Sequence, residues 1–207
     1  AGNLTVSTTG ELAAHGQVLS GGDMQLKGQG LDLSNSRIQG QHTELDATSG
    51  NLSTQNVQLS AGTLSARTAG HFSNNGGTIN ADTLQISAQS LSNHRGKLIQ
   101  TGTGDFSLNL PGGVDNREGL LAANGAVRLD ALSLDNRRGK VQAVQSGSLQ
   151  VKTTGAVDNQ QGSLTASRDV RLNAQALNND NGLISAAAGT GRIKTQQAVS
   201  NTEGRME

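Results

Sequence analysis

A six-residue motif, apolar-x-Asn-x-x-Gly, recurs seven times in this 207-residue chain and constrains its fold more than any other feature. The copies are Phe72–Gly77, Leu91–Gly96, Val114–Gly119, Leu134–Gly139, Val157–Gly162, Leu177–Gly182 and Val199–Gly204. Their asparagines, Asn74, Asn93, Asn116, Asn136, Asn159, Asn179 and Asn201, follow one another at intervals of 19, 23, 20, 23, 20 and 22 residues. Such a period is too short for a propeller blade or a helical pair, but it suits one coil of a β-solenoid.

The segments between the motifs support strands. Apolar residues alternate with polar ones in Leu84-Gln85-Ile86, Val127-Arg128-Leu129, Leu149-Gln150-Val151 and Val170-Arg171-Leu172. Shorter stretches such as Ile79-Asn80-Ala81 and Val141-Gln142-Ala143 follow each glycine. A period of two marks half-buried strands, and no window sustains a helical period. The N-terminal third carries a variant unit. Leu33–Ile38 aligns with Leu52–Val57 at a spacing of 19, with Leu45-Asp46-Ala47 and Leu64-Ser65-Ala66 falling on the next strand. Residues around Ala13, Val18, Met24 and Leu26 suit an earlier, degenerate coil. The chain therefore divides into variant coils over 1–70 and regular coils over 71–207, as one continuous solenoid.

The fold expected is all-β: a right-handed parallel β-helix of about ten coils of 19–23 residues, since parallel crossovers are nearly always right-handed. One coil alone buries too little to offset its backbone entropy, so only the stack is stable. Composition agrees with a thin interior, because Phe72 and Phe106 are the only aromatic residues and 28 glycines accompany a single proline. The motif glycines, Gly77, Gly96, Gly119, Gly139, Gly162, Gly182 and Gly204, are expected at corners where a positive φ is tolerated. The seven asparagines are expected to stack at those corners as an amide ladder.

Few residues point to chemistry. Asp115, Asp135 and Asp158 share one repeat position, and adjacent carboxylates can hold Ca²⁺ or act as an acid–base pair. Arg117, Arg137 and Arg138 lie close enough to neutralise them, and Ser73, Ser92, Asn178 and Ser200 fill the position elsewhere, so a solvated ion-pair ladder is the expectation. His15, His42, His71 and His94 occupy unlike positions and predict no metal centre. No spacing suggests a catalytic triad, a phosphate loop or a cofactor site. Zero cysteines exclude a disulfide framework. Sixteen basic residues balance sixteen acidic ones without a basic patch, which argues against nucleic acid as a partner. Apolar runs are too short to span a membrane. The coils beginning at Leu91 and Leu134 are longer than their neighbours, and Asn109-Leu110-Pro111-Gly112-Gly113 in the first reads as a protruding turn that could serve as a binding loop.

The segments LSNHRGKLIQ, LDNRRGKVQA, VDNQQGSLTA and LNNDNGLISA resemble the filamentous-haemagglutinin repeats of bacterial exoproteins secreted by the two-partner pathway. That family includes haemagglutinin adhesins and contact-dependent growth inhibition effectors. The resemblance is close over residues 72–204 and looser over 12–71. It implies export through an outer-membrane transporter, a secreted or cell-surface location, and a structural or adhesive shaft that meets a cell-surface receptor or glycan. It also implies that this stretch is an internal fragment, whose uncapped ends would favour end-to-end self-association. The competing function is a β-helical polysaccharide-binding or polysaccharide-degrading protein, which usually needs aromatic sugar platforms that this chain lacks.

Overall fold

The structure is a computed structural model and describes residues 2–207. Among these residues it contains 27 strands, and every pairing is parallel. Ten short strands of two or three residues form one sheet, from Leu12–Ala13 to Val199–Ser200. The other 17 strands form the rest of the wall. The chain thus winds into a β-solenoid of ten turns, about 45–50 Å long at roughly 4.8 Å per turn.

Equivalent side chains stack in columns through the interior. Leu59, Ile79, Leu98, Leu121, Val141, Leu164 and Ile184 lie in direct register. All seven are buried. Small residues line the neighbouring inward column, with Ala61, Ala81, Ala123, Ala143, Ala166 and Ala186 aligned and Gln100 interposed. Both phenylalanines are fully buried, Phe72 between Leu52 and Leu91 and Phe106 beside Val127. The outward residues of the same strands are mostly polar, with Ile99 and Ala122 as exceptions, so alternation sorts the two faces.

The register of the N-terminal coils differs from the sequence alignment. Leu31, not Leu33, pairs with Leu52, and Leu45 pairs with Ala66 rather than Leu64. The discrepancy is two residues. A two-residue shift leaves every side chain on its own face, so alternation alone cannot distinguish the two registers. An additional strand, Leu4–Ser7, pairs with Met24–Gly28 and extends the stack by part of a turn.

The longer walls also change along the rod. In Ser36–Ala47, Gln58–Thr68 and Thr78–Ser87 one strand runs unbroken through both long walls of the coil. From Lys97–Gln100 and Phe106–Asn109 onward, a turn separates two shorter strands. The first break after the unbroken coils is held by a buried amide: Gln100 Oε1 accepts from Leu84 N at 3.0 Å, and Gln100 Nε2 donates to Gly104 O at 2.6 Å.

Candidate functional site

The motif builds one corner of every regular coil. After the short strand the asparagine turns inward, and Asn74, Asn93, Asn116, Asn136, Asn159 and Asn179 are completely buried. Each of these six Nδ2 groups donates to Oδ1 of the asparagine one coil further on at 2.6–2.8 Å. The same Nδ2 reaches the carbonyl of its own motif glycine at 3.2–3.4 Å. It also reaches a carbonyl of the next coil at 3.1–3.3 Å. The amides therefore point one way along the rod. At the other end Thr54 Oγ1 closes the row by donating to Asn74 Oδ1 at 3.0 Å.

Positive φ does not fall on the motif glycines. It falls on the residue before each: Gly76 (φ 67), Arg95 (55), Glu118 (55), Arg138 (55), Gln161 (57), Asn181 (54) and Glu203 (54). Asn35 (59) and Asn56 (53) take the same position in the variant coils. Glycine is needed at the next position for space. A Cβ on Gly139 would lie far inside contact with the Asn116 carbonyl oxygen, and 2.7 Å from Asn136 Oδ1. Gly96, Gly119, Gly162, Gly182 and Gly204 face the same arrangement, and Gly77 meets the Thr54 carbonyl instead.

Outside this corner, Asp115, Asp135 and Asp158 stand in register, as expected for one repeat position. Arg117 grips Asp115 with bonds of 2.9 and 2.7 Å and approaches Asp135 at 3.7 Å. Arg137 repeats this on Asp135 at 3.0 and 2.6 Å and approaches Asp158 at 3.6 Å. The result is an alternating acid–base zigzag. Each aspartate also accepts the backbone N–H two residues on, at 3.0, 3.2 and 3.1 Å, which fixes the turn. Burial pushes the Asp115 carboxyl up, but the hydrogen bonds and charge of Arg117, with His94, outweigh it and hold the group below the usual carboxylate range.

Two equivalent turns use a different acceptor that the aligned motif does not reveal. Where the aspartate is replaced by Ser92, the acceptor is Asn75 from the preceding coil, bonded to His94 N and Ser92 Oγ. Where it is replaced by Ser200, Asp180 does the same for Thr202 N and Ser200 Oγ. Bonding to Ser200, aided by Thr202, lowers the Asp180 carboxyl.

The histidines are spread along the rod. His15 faces Asp32, His42 faces Asp23, His94 faces Glu118, and His71 Nδ1 lies 2.8 Å from Ser90 Oγ. Burial lowers the His71 pKa, opposed by Asp115. Among the described residues, no group of three or more His, Cys, Asp or Glu side chains could hold a metal ion.

Asn109–Gly113 does not protrude as its proline and glycines suggested. Leu110 is buried and its N–H donates to Asp130 O, while Gly112 N donates to Gln89 O on the coil before. Gly112 O accepts from Leu132 N on the coil after. This turn contributes only one residue to the length of its coil. The other three lie at Thr101–Asp105, since Phe106 follows Lys97 by nine positions whereas Leu84 follows Thr78 by six.

An unbroken parallel stack stitched by buried amides and an ion-pair zigzag defines a parallel β-solenoid. The chain belongs to the haemagglutinin repeat family, whose model matches residues 1–109, 101–159 and 144–203. It is also 39% identical over 129 residues to the Toxin CdiA of Yersinia pestis. That match covers 62% of this chain but 4% of the relative. No solved structure matches the chain. Family and relative identify the chain as sequence from a secreted, cell-surface exoprotein of the two-partner type. Among the described residues, no helix is long and apolar enough to cross a membrane.

Proposed function

We propose that this chain is a shaft segment of a large secreted exoprotein, where it holds recognition regions away from the cell and contributes to attachment through its outward faces. The observation that carries this reading is the continuous amide row from Thr54 to Asn201, which ties successive coils into a single stiff body. A buried ladder of this kind resists bending because every joint would orphan amide groups. In this reading the segment works by shape and contact rather than by catalysis. It leaves the producing cell through an outer-membrane transporter and meets a receptor or glycan on another cell. The relative's printed name describes a toxin, and a shaft of this kind would set the reach of such an effector.

The test is binding of the labelled chain to epithelial cells and to bacterial cells, beside a chain with scrambled repeats. Saturable binding to either cell type, absent from the scrambled chain, is expected. Equal binding by both chains would refute an attachment role, and solution scattering without a rod of about 45–50 Å would refute the shaft.

A further inference from the structure

On the outer wall of the N-terminal coils, a shallow trough runs along the rod from Ser20 and Gly21 to Thr101. Its central residues are Gln39, Ser60 and Asn80, in direct register on three successive coils. Gln58 and Thr78 flank them on one side and Gln41 lies toward the other. The trough coincides with the coils whose long strands run unbroken, and Gly62 adds no side chain to its lining. Beyond it the outward residues change: Asn80 is followed by Ile99 and then Ala122.

Two properties of this surface bear on what it can bind. It is nearly uncharged, with Arg37 and Asp82 at its margins. Its polar groups are also unspent. None of the side chains of Gln39, Gln41, Gln58, Ser60, Thr78 and Asn80 makes a hydrogen bond within the described residues. By contrast, the corner at Asp115–Asp158 and the outward pairs Lys27–Asp46, Arg128–Asp105 and Lys152–Asp130 satisfy one another.

We propose that this trough binds an extended, uncharged glycan lying along the rod axis. The assignment rests on the attachment reading and names its ligand class. Amides and hydroxyls supply both donors and acceptors, which match sugar hydroxyls. The coil rise of about 4.8 Å is close to the advance of one pyranose unit in an extended chain, so each coil meets about one unit. A polyanion would find only Arg37 as a counter-charge. An apolar partner would find a single large exposed hydrophobic side chain, Leu19, in register with Gln39 at one end of the column, while Leu132, Val144, Val199 and Met206 lie elsewhere. Without aromatic platforms the binding of a single site is weak, and repetition along the shaft provides avidity.

The experiment is NMR titration of the whole chain with cellopentaose, chitopentaose and, as an anionic control, a heparin pentasaccharide. A neutral probe is expected to shift the amides of Gln39, Ser60 and Asn80 saturably. The triple variant Gln39→Ala, Ser60→Ala, Asn80→Ala should weaken this at least about tenfold with an unchanged melting temperature. The variant Gln150→Ala, on another wall, should bind normally. No saturable shift with either neutral probe, a shift that survives the triple variant, or preference for heparin would overturn the assignment. If the triple variant loses glycan binding but still attaches to cells, the trough stands as a glycan site and cell attachment lies on another face. If cell attachment fails in the parent chain while glycan binding persists, the attachment reading falls alone.

Discussion

Replacing Asn136 with alanine tests the amide ladder at its centre. Asn136 accepts from Asn116 Nδ2 at 2.7 Å and donates to Asn159 Oδ1 at 2.7 Å, with no solvent exposure. The substitution leaves Asn159 Oδ1 without a donor and deprives Asn116 of its shortest acceptor. Each buried group left unpaired costs about 1–3 kcal/mol, so the loss should be about 4 kcal/mol. For a chain of this size that lowers the melting temperature by about 8–16 °C. Asn201→Ala, at an exposed position, should cost under about 1 kcal/mol. Urea and thermal unfolding followed by circular dichroism would measure both. Asn136→Asp adds a pH signature, because its carboxylate would face Asn159 Oδ1 in a dry site and its folded-state pKa would rise. A raised pKa means that stability is best retained below the unfolded value of about 3.9 and is lost as pH climbs toward neutral. Equal losses at Asn136 and Asn201, or a flat pH response in Asn136→Asp, would refute the ladder as the source of rigidity.

Three further outcomes are expected. Gly139→Ala should destabilise by about 1–3 kcal/mol or more through collision with the Asn116 carbonyl, whereas Gly191→Ala, with no atom within 4 Å of the added Cβ, should be nearly neutral in the same melts. Asp115 has a lowered folded-state pKa, so its stabilisation is present above the usual carboxylate value and disappears as pH falls through the lowered one; Asp115→Asn should flatten that acid limb in a pH series of unfolding curves. Leu129→Asp would place an unpaired carboxylate in a position 1% exposed, and native-like melting of that variant would contradict the inward assignment of its strand.

Much of this architecture is legible because a solenoid repeats its own constraints. Asn74 to Asn201 mark the corner seven times, and alternation such as Val127-Arg128-Leu129 separates the faces without knowledge of the partner strand. Two things escape that reading for physical reasons. The N-terminal register is ambiguous by two residues because both alignments bury the same side chains. The position of the longer turn is misread because Pro111 and Gly112 signal a turn strongly, while Thr101–Asp105 gains its order from the buried amide of Gln100. The trough is invisible in the motif, since Gln39, Ser60 and Asn80 become neighbours only once the register is known.

The asparagine and glycine of the motif are one device rather than two. Along the ladder column the variant coils carry Leu33 and Thr54 where the regular coils carry asparagine, and all are buried. Three residues on, the same coils carry Ser36 and Val57 where the regular coils carry glycine. A branched or hydroxylated side chain thus enters the glycine position only where no buried amide fills the corner. With asparagine present, its Oδ1 and the carbonyl of the coil before occupy the volume a Cβ would need. Adding an asparagine at Thr54 alone should therefore clash with Val57, whereas Thr54→Asn with Val57→Gly should extend the ladder by one rung. The switch between repeat types is accordingly a change of corner packing, from apolar and hydroxyl groups to a hydrogen-bonded amide row, within a stack whose inward columns continue unbroken.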